Sequence, residues 1–214
     1  LPWEILSCCA GFPCLNTGLK HGTVTVLSGG LSVEVTTFRR EGSYSDHRHP
    51  DQVEFTSDLT DDLARRDFTI NAMAYNDDER LVDAFGGMRD LNYHLIRCVG
   101  DPKERFSEDA LRILRAVRFS AQLAFPIEPE TAEAIKSLAP NLEKISAERI
   151  QAELVKLLVS DHPERIQDAC ELGITKVVLP EWDDMVGVKQ NTPHHKYDVA
   201  AHTVHALQNV KNDK

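Results

Sequence analysis

The sequence predicts an α+β fold, with strands and loops first and helices after. Residues 22–40 (GTVTVLSGGLSVEVTTFRR) alternate apolar and polar positions on either side of Gly29-Gly30, the period-two pattern of a hairpin. From Ser107 onward, apolar residues recur at helical spacing in segments broken by Pro126, Pro140 and Pro180. The change from one pattern to the other places a boundary near residue 103.

In the hairpin, Val24 and Val26 alternate with Thr, and Val33 and Val35 alternate on the return. Residues 41–62 (EGSYSDHRHPDQVEFTSDLTDD) are polar and punctuated, which predicts a long mobile loop. A helix is expected over 67–76, with Ile70, Met73 and Ala74 on one face. Gly86-Gly87 marks a turn, and LIRCVG at 95–100 suits a short buried strand. Ser107 is placed to cap the next helix, with Glu108 and Asp109 at its positive end. Further helices are expected at 129–138, 146–159 and 163–172. No internal repeat or low-complexity tract interrupts this order.

The 214 residues, 42% hydrophobic and 27% charged, suit one large globular domain or two small ones. No apolar run approaches the roughly 18 residues that span a bilayer, so no membrane partner is expected. The opening LPWEILSCCAGF has no basic stretch ahead of an apolar one, which argues against a secretory signal. Five Cys without a C-x-x-C pair fit a reducing cytoplasm better than a disulfide or thiolate-metal framework. A net charge of −10 weighs against nucleic acid, but Arg39-Arg40, Arg65-Arg66 and Arg112/Arg115/Arg118 are clustered. A local basic cleft on an acidic protein therefore stays open.

RRDFTIN, Arg65 to Asn71, is the most distinctive segment. Arg forks grip phosphate oxygens, amides at a helix start favour anions, and Asp67 with Asn71 can bond sugar hydroxyls. The plainer account is a helix start with solvated arginines. In EDALRILRAVRF, Glu108 to Phe119, Asp109 and Arg112 are three apart and share a helix face. Arg115 and Arg118 follow at three-residue steps, drifting about 60° each. Cytosine and adenine both present an amino donor beside a ring-nitrogen acceptor. An ionised Asp accepts from the first and Arg donates to the second, so Asp109 and Arg112 could admit C and A and reject U and G. The competing account is a capped helix with a Glu108–Arg112 ion pair. Glu34, mid-strand in VEV, is a candidate metal ligand or base, or a solvent-facing strand residue. His194, His195, His202 and His205 cluster late in the chain and read better as surface or substrate-contacting groups than as a metal site.

With RRDFTIN and EDALRILRAVRF in this order, the chain resembles class II CCA-adding tRNA nucleotidyltransferases. Their superfamily also holds bacterial poly(A) polymerases and DNA polymerase β. GLKHGTVTV, VEVTTFR, YSDHRHPDQVEF, DAFGG, ISAERI and NTPHHKYDVAAHTVHAL extend the likeness over nearly the whole chain. The resemblance implies a polymerase-β-like head at 1–102, its N-terminal part missing, an all-helical neck at 103–160 and the start of a helical body at 161–214. It implies addition of C and A to the tRNA 3′ end from CTP and ATP, with two Mg2+ ions, in the cytoplasm. Arg66 would bind the nucleotide, supported by Asp67 and Asn71. Asp109 and Arg112 would read the base, and Arg115 and Arg118 would meet the phosphates. Glu34 resembles the third carboxylate of the site. Arg149, Glu153 and Lys156, supported by Glu108, would brace the reading helix, and 41–62 would be the element that switches from C to A.

One departure stands out. The family's glycine-rich turn and D-x-D metal motif should precede GLKHGTVTV, and they are not in this sequence. Asp77-Asp78 and Asp183-Asp184 are adjacent pairs whose side chains diverge, so they do not replace it. The chain by itself is thus expected to be inactive. A poly(A) polymerase, an A-adding enzyme and a non-catalytic RNA-binding remnant remain alternatives. KHGTVTV stands where a poly(A) polymerase would carry its G-R-R-F signature.

Overall fold

The computed structural model describes residues 2–16, 18–19, 22–42, 53–190 and 196–209, and these form two compact units that divide between Arg66 and Asp67. The chain is α+β, as its patterning predicts. Phe68, Ile96 and Cys98 share one apolar core with the helices that follow them, so residues 67–102 pack with the helical unit.

The first unit begins with α1 (Pro2–Cys8) and a three-stranded antiparallel sheet of β1 (Cys14–Leu15), β2 (Thr23–Ser28) and β3 (Leu31–Thr36). The expected hairpin is present. Ser28 pairs with Leu31 across a two-residue turn whose glycines both take positive φ (57° and 81°), the conformation that matches strand twist. Val24 and Val26 are buried, while Val33, opposite Val26, stays exposed on the edge strand. Residues 41–62 are not one loop. β4 (Arg39–Glu41) pairs antiparallel with β5 (Val53–Phe55), and α2 (Leu59–Ala64) follows, capped by the Asp58 carboxylate on the Thr60 amide at 2.8 Å. The stretch joining β4 to β5 lies, apart from Gly42, outside the described residues.

In the second unit, the helix expected over 67–76 is replaced by a 3₁₀ turn (Thr69–Asn71) and β6 (Ala74–Asn76), which pairs with β7 (Arg80–Val82). Ile70, Met73 and Ala74 do have helical spacing, but long-range contacts prevail. Phe68 is extended, bridges Cys98 and meets the Phe119 ring edge-on at 5.7 Å. α3 (Gly87–Asn92) packs on that turn so closely that a Cβ on Gly87 would stand 2.4 Å from the Thr69 carbonyl oxygen. LIRCVG is buried at Ile96, Cys98 and Val99, yet it forms single bridges at Ile96 and Cys98 and no strand.

The helical series is α4 (Pro102–Glu108), α5 (Leu111–Leu123), α6 (Pro129–Leu138), α7 (Ala147–Leu158), α8 (Ile166–Glu171), α9 (Thr175–Val178), α10 (Pro180–Met185) and α11 (Val199–Asn209). The helices expected at 129–138 and 146–159 are there, and that at 163–172 starts with a 3₁₀ turn. Ser107 is not at a cap position: it lies inside α4, whose cap is Asp101, bonding the Lys103 amide at 2.7 Å. Glu108 accordingly sits at the negative end of α4. Ile113, Leu114, Val117 and Ala121 make the buried stripe of α5, against Ile135, Leu142 and Leu157 in the same core. Burying each large aliphatic side chain contributes about 1.5–3 kcal/mol.

Candidate nucleotide-binding site

Arg65 and Arg66 follow the last turn of α2, so they complement the negative end of a helix and do not stand at a helix start. The helix-amide argument for anion binding at RRDFTIN therefore fails, and the guanidinium groups alone can carry it. Asp62, one turn earlier, organises both. Its Oδ1 accepts Arg65 Nη2 at 2.6 Å and Nε at 3.0 Å, and its Oδ2 accepts Arg66 Nη2 at 3.3 Å. Sequence reading missed Asp62 because the helix was placed after the arginines instead of before them. In the same unit Glu34 is exposed on β3, directly opposite Thr25.

The remaining candidates belong to the second unit. Asp67 is nearly buried. Its Oδ1 accepts the Phe68 amide at 2.9 Å and Asn71 Nδ2 at 3.2 Å, while its Oδ2 accepts Arg115 Nε at 2.7 Å. Asp67, Asn71 and Arg115 are thus one bonded group. Burial, reinforced by the Asp67 charge, pushes the Cys98 thiol up to about 12.

Asp109 and Arg112 do not share a helix face as first expected. Asp109 stands in the break between α4 and α5, with extended backbone (φ −137°, ψ 104°). Its Oδ1 accepts the Leu111 amide at 3.0 Å and its Oδ2 accepts Arg149 Nη2 at 2.8 Å. Arg112 bonds Glu108 at 2.6 Å, and Glu108 also accepts from Arg105. Arg118 lies between Glu153 (2.5 Å) and Gln122 (2.6 Å), and Lys156 reaches the other Glu153 oxygen at 3.4 Å. α7 thereby supplies Arg149 to Asp109 and Glu153 to Arg118. Arg149 Nη1 is buried and makes no hydrogen bond among the described residues.

A second buried network went unnoticed in the sequence. Asp90, fully buried, accepts the Thr69 hydroxyl at 2.8 Å and Arg97 Nε at 3.1 Å, and Arg97 reaches Glu128 at 2.9 Å. It locks the 3₁₀ turn that carries Asn71. Among the late histidines, His205 stacks on Tyr197 with centroids 4.3 Å apart; His194 and His195 lie outside the described residues.

An antiparallel sheet unit carrying an arginine pair precedes helices that present an acid–arginine set at a helix break. Residues 9–97 match the poly A polymerase head domain, and residues 124–186 match the probable RNA and SrmB-binding site of polymerase A. The chain belongs to the family of poly(A) polymerases and CCA-adding nucleotidyltransferases. It is 55% identical over 176 residues to the CCA-adding enzyme of Lactobacillus helveticus (82% of this chain, 43% of that one). It is 46% identical over 200 residues to that of Levilactobacillus brevis (93% and 48%). Among solved structures it resembles the Bacillus stearothermophilus CCA-adding enzyme in complex with CTP, with TM-score 0.77 and 38% identity, covering 87% of this chain and 45% of that one. It also resembles the Thermotoga maritima CCA-adding enzyme complexed with tRNA, with TM-score 0.68 and 30% identity, covering 90% and 43%. The chain thus spans under half the length of these relatives. Among the described residues no helix is long and apolar enough to cross a membrane.

Proposed function

We propose that the full-length protein adds C and A to the 3′ end of tRNA, taking CTP and ATP and releasing pyrophosphate in the cytoplasm. The observation that carries this is the helix break at Asp109, where a carboxylate and the Arg112 guanidinium are each fixed by a partner from the protein. The Asp109 carboxylate, held by Arg149, is placed to accept from the amino group of C or A. Arg112 donates to the adjacent ring nitrogen, and uracil and guanine present the wrong pattern to both. Arg66, Arg115 and Arg118 are the phosphate-side candidates, with Asp67 and Asn71 supporting them; of these arginines Arg66 is the most exposed. Glu108, Glu153 and Lys156 hold the arginine set in place.

In the reaction, the tRNA 3′-hydroxyl gives up its proton to solvent, its oxygen bonds the α-phosphorus, the α–β phosphoanhydride bond breaks and pyrophosphate departs with its electron pair. Magnesium supplies charge neutralisation in chemistry of this kind. The residues present do not assemble a two-ion site: Glu34 faces Thr25, and no group of three ligand side chains converges among the described residues. This chain's own part is therefore binding and base selection. Residues 1–102 would form the head, 103–160 the neck and 161–214 the start of the body, a division supported by a head-domain match ending at 97. The relatives that carry CTP or tRNA support the substrates.

The test is Asp109→Ala in the full-length protein, offered a tRNA lacking CCA and each of the four nucleotides. Discrimination against UTP and GTP should fall by about tenfold or more, since one good base contact is worth about 1–3 kcal/mol. Unchanged selectivity in a folded mutant would overturn the assignment.

A further inference from the structure

We infer that Asp62 is a positioning residue for nucleotide binding, acting through the Arg65–Arg66 pair. Asp62 is only 3% exposed, and a carboxylate taken out of water persists only where donors surround it. It has four such bonds: two from Arg65, one from Arg66 Nη2 and one from the Arg39 backbone amide at 3.2 Å. The division of labour is uneven. Arg65, with a side chain 18% exposed, makes the two short bonds and neutralises the carboxylate. Arg66, 44% exposed, touches the second oxygen at a longer reach, and its other guanidinium donors are unengaged among the described residues.

Two adjacent guanidinium groups repel, and a shared carboxylate is what holds them side by side. Asp62 thus aims the exposed Arg66 fork while Arg65 keeps the aiming group in place. The Arg39 contact ties the same carboxylate to β4, and neighbouring Asp61 repeats the tie by bonding Arg40 and, at 3.3 Å, the Thr56 hydroxyl. The arginine pair is therefore referenced to the β4–β5 ribbon and not to α2 alone. Nothing in this requires Asp62 to touch the nucleotide.

The inference rests on Arg66 being a nucleotide contact, and the experiment separates the two. Asp62→Asn, Asp62→Glu, Arg66→Ala and the Asp62→Asn/Arg66→Ala double variant are made in the full-length protein. KM and kcat for CTP and ATP are measured on tRNA lacking CCA, alongside the unfolding midpoint. Asp62→Asn should raise both KM values about tenfold with kcat within about twofold, because misaiming weakens capture and not the chemical step. The double variant should be no worse than Arg66→Ala, and Asp62→Glu should recover part of the loss. Should Asp62→Asn fail to fold, Asp62→Glu carries the test, with a KM between wild type and Arg66→Ala. Multiplying losses in the double variant, or an unchanged KM in folded Asp62 variants, overturn the inference. If Arg66→Ala leaves KM untouched, the fault lies in the Arg66 assignment itself.

Discussion

Arg115 lays two donors on a single oxygen of Asp67, Nε at 2.7 Å and Nη2 at 2.5 Å, across 48 residues of sequence. The bond joins the middle of α5 to the turn that holds Asn71. Asp67 also accepts from the Phe68 amide, so its removal strands a buried donor as well as a cation. Asp67→Ala should cost about 2–3 kcal/mol, with Arg115, a third exposed, moderating the loss. Urea unfolding of Asp67→Ala, Arg115→Ala and the double variant checks it; a coupling energy near zero would show that the two act separately.

The Arg118–Glu153 pair is more deeply buried, at 9% and 6% side-chain exposure. Glu153→Ala should destabilise by about 3–5 kcal/mol, because it leaves Arg118 charged and without its main partner. An Arg118→Met/Glu153→Leu double variant should regain much of that stability while losing nucleotide affinity. Denaturation midpoints and CTP titration separate the two effects. Full affinity in the double variant would remove Arg118 from the binding set.

Cys98 gives a prediction in pH. Burial raises its pKa to about 12 from an ordinary 9.0, so the fold stabilises the protonated thiol. That stabilisation is whole below about pH 9 and is lost as pH climbs toward 12. Cys98→Ala should therefore flatten the fall in stability over this window. In the native protein the thiol should also resist alkylation near pH 8, reacting only as the chain unfolds. Rapid modification of the folded protein would contradict both.

The hairpin and the main helices were legible because their information is local. Val24, Val26, Val33 and Val35 alternate around two glycines, and the segment after Pro129 has helical spacing. RRDFTIN was misread for the opposite reason. Its turn is decided by Phe68 meeting Phe119 and bridging Cys98, contacts no local window contains. The surroundings of Asp109 were half legible. Base-reading chemistry could be argued from residue types, but the carboxylate's partner, Arg149, lies 40 residues on, and the helix break at Asp109 replaced an expected capped start. Asp62 could have been found by its three- and four-residue spacing to Arg65 and Arg66, had α2 been placed correctly.

Arg112, Arg115 and Arg118 each stand against a carboxylate of the protein itself. Charges cancelled at such short range cast little field beyond the surface, well inside the roughly 8–10 Å over which bare charges act in physiological salt. A polyanion near α5 is therefore not drawn in from a distance by these three residues. It has to compete, after arrival, for donors already in use by Glu108, Asp67 and Glu153. On the proposed reading, recognition along α5 would substitute one oxygen partner for another, timed by local rearrangement and not by electrostatic steering.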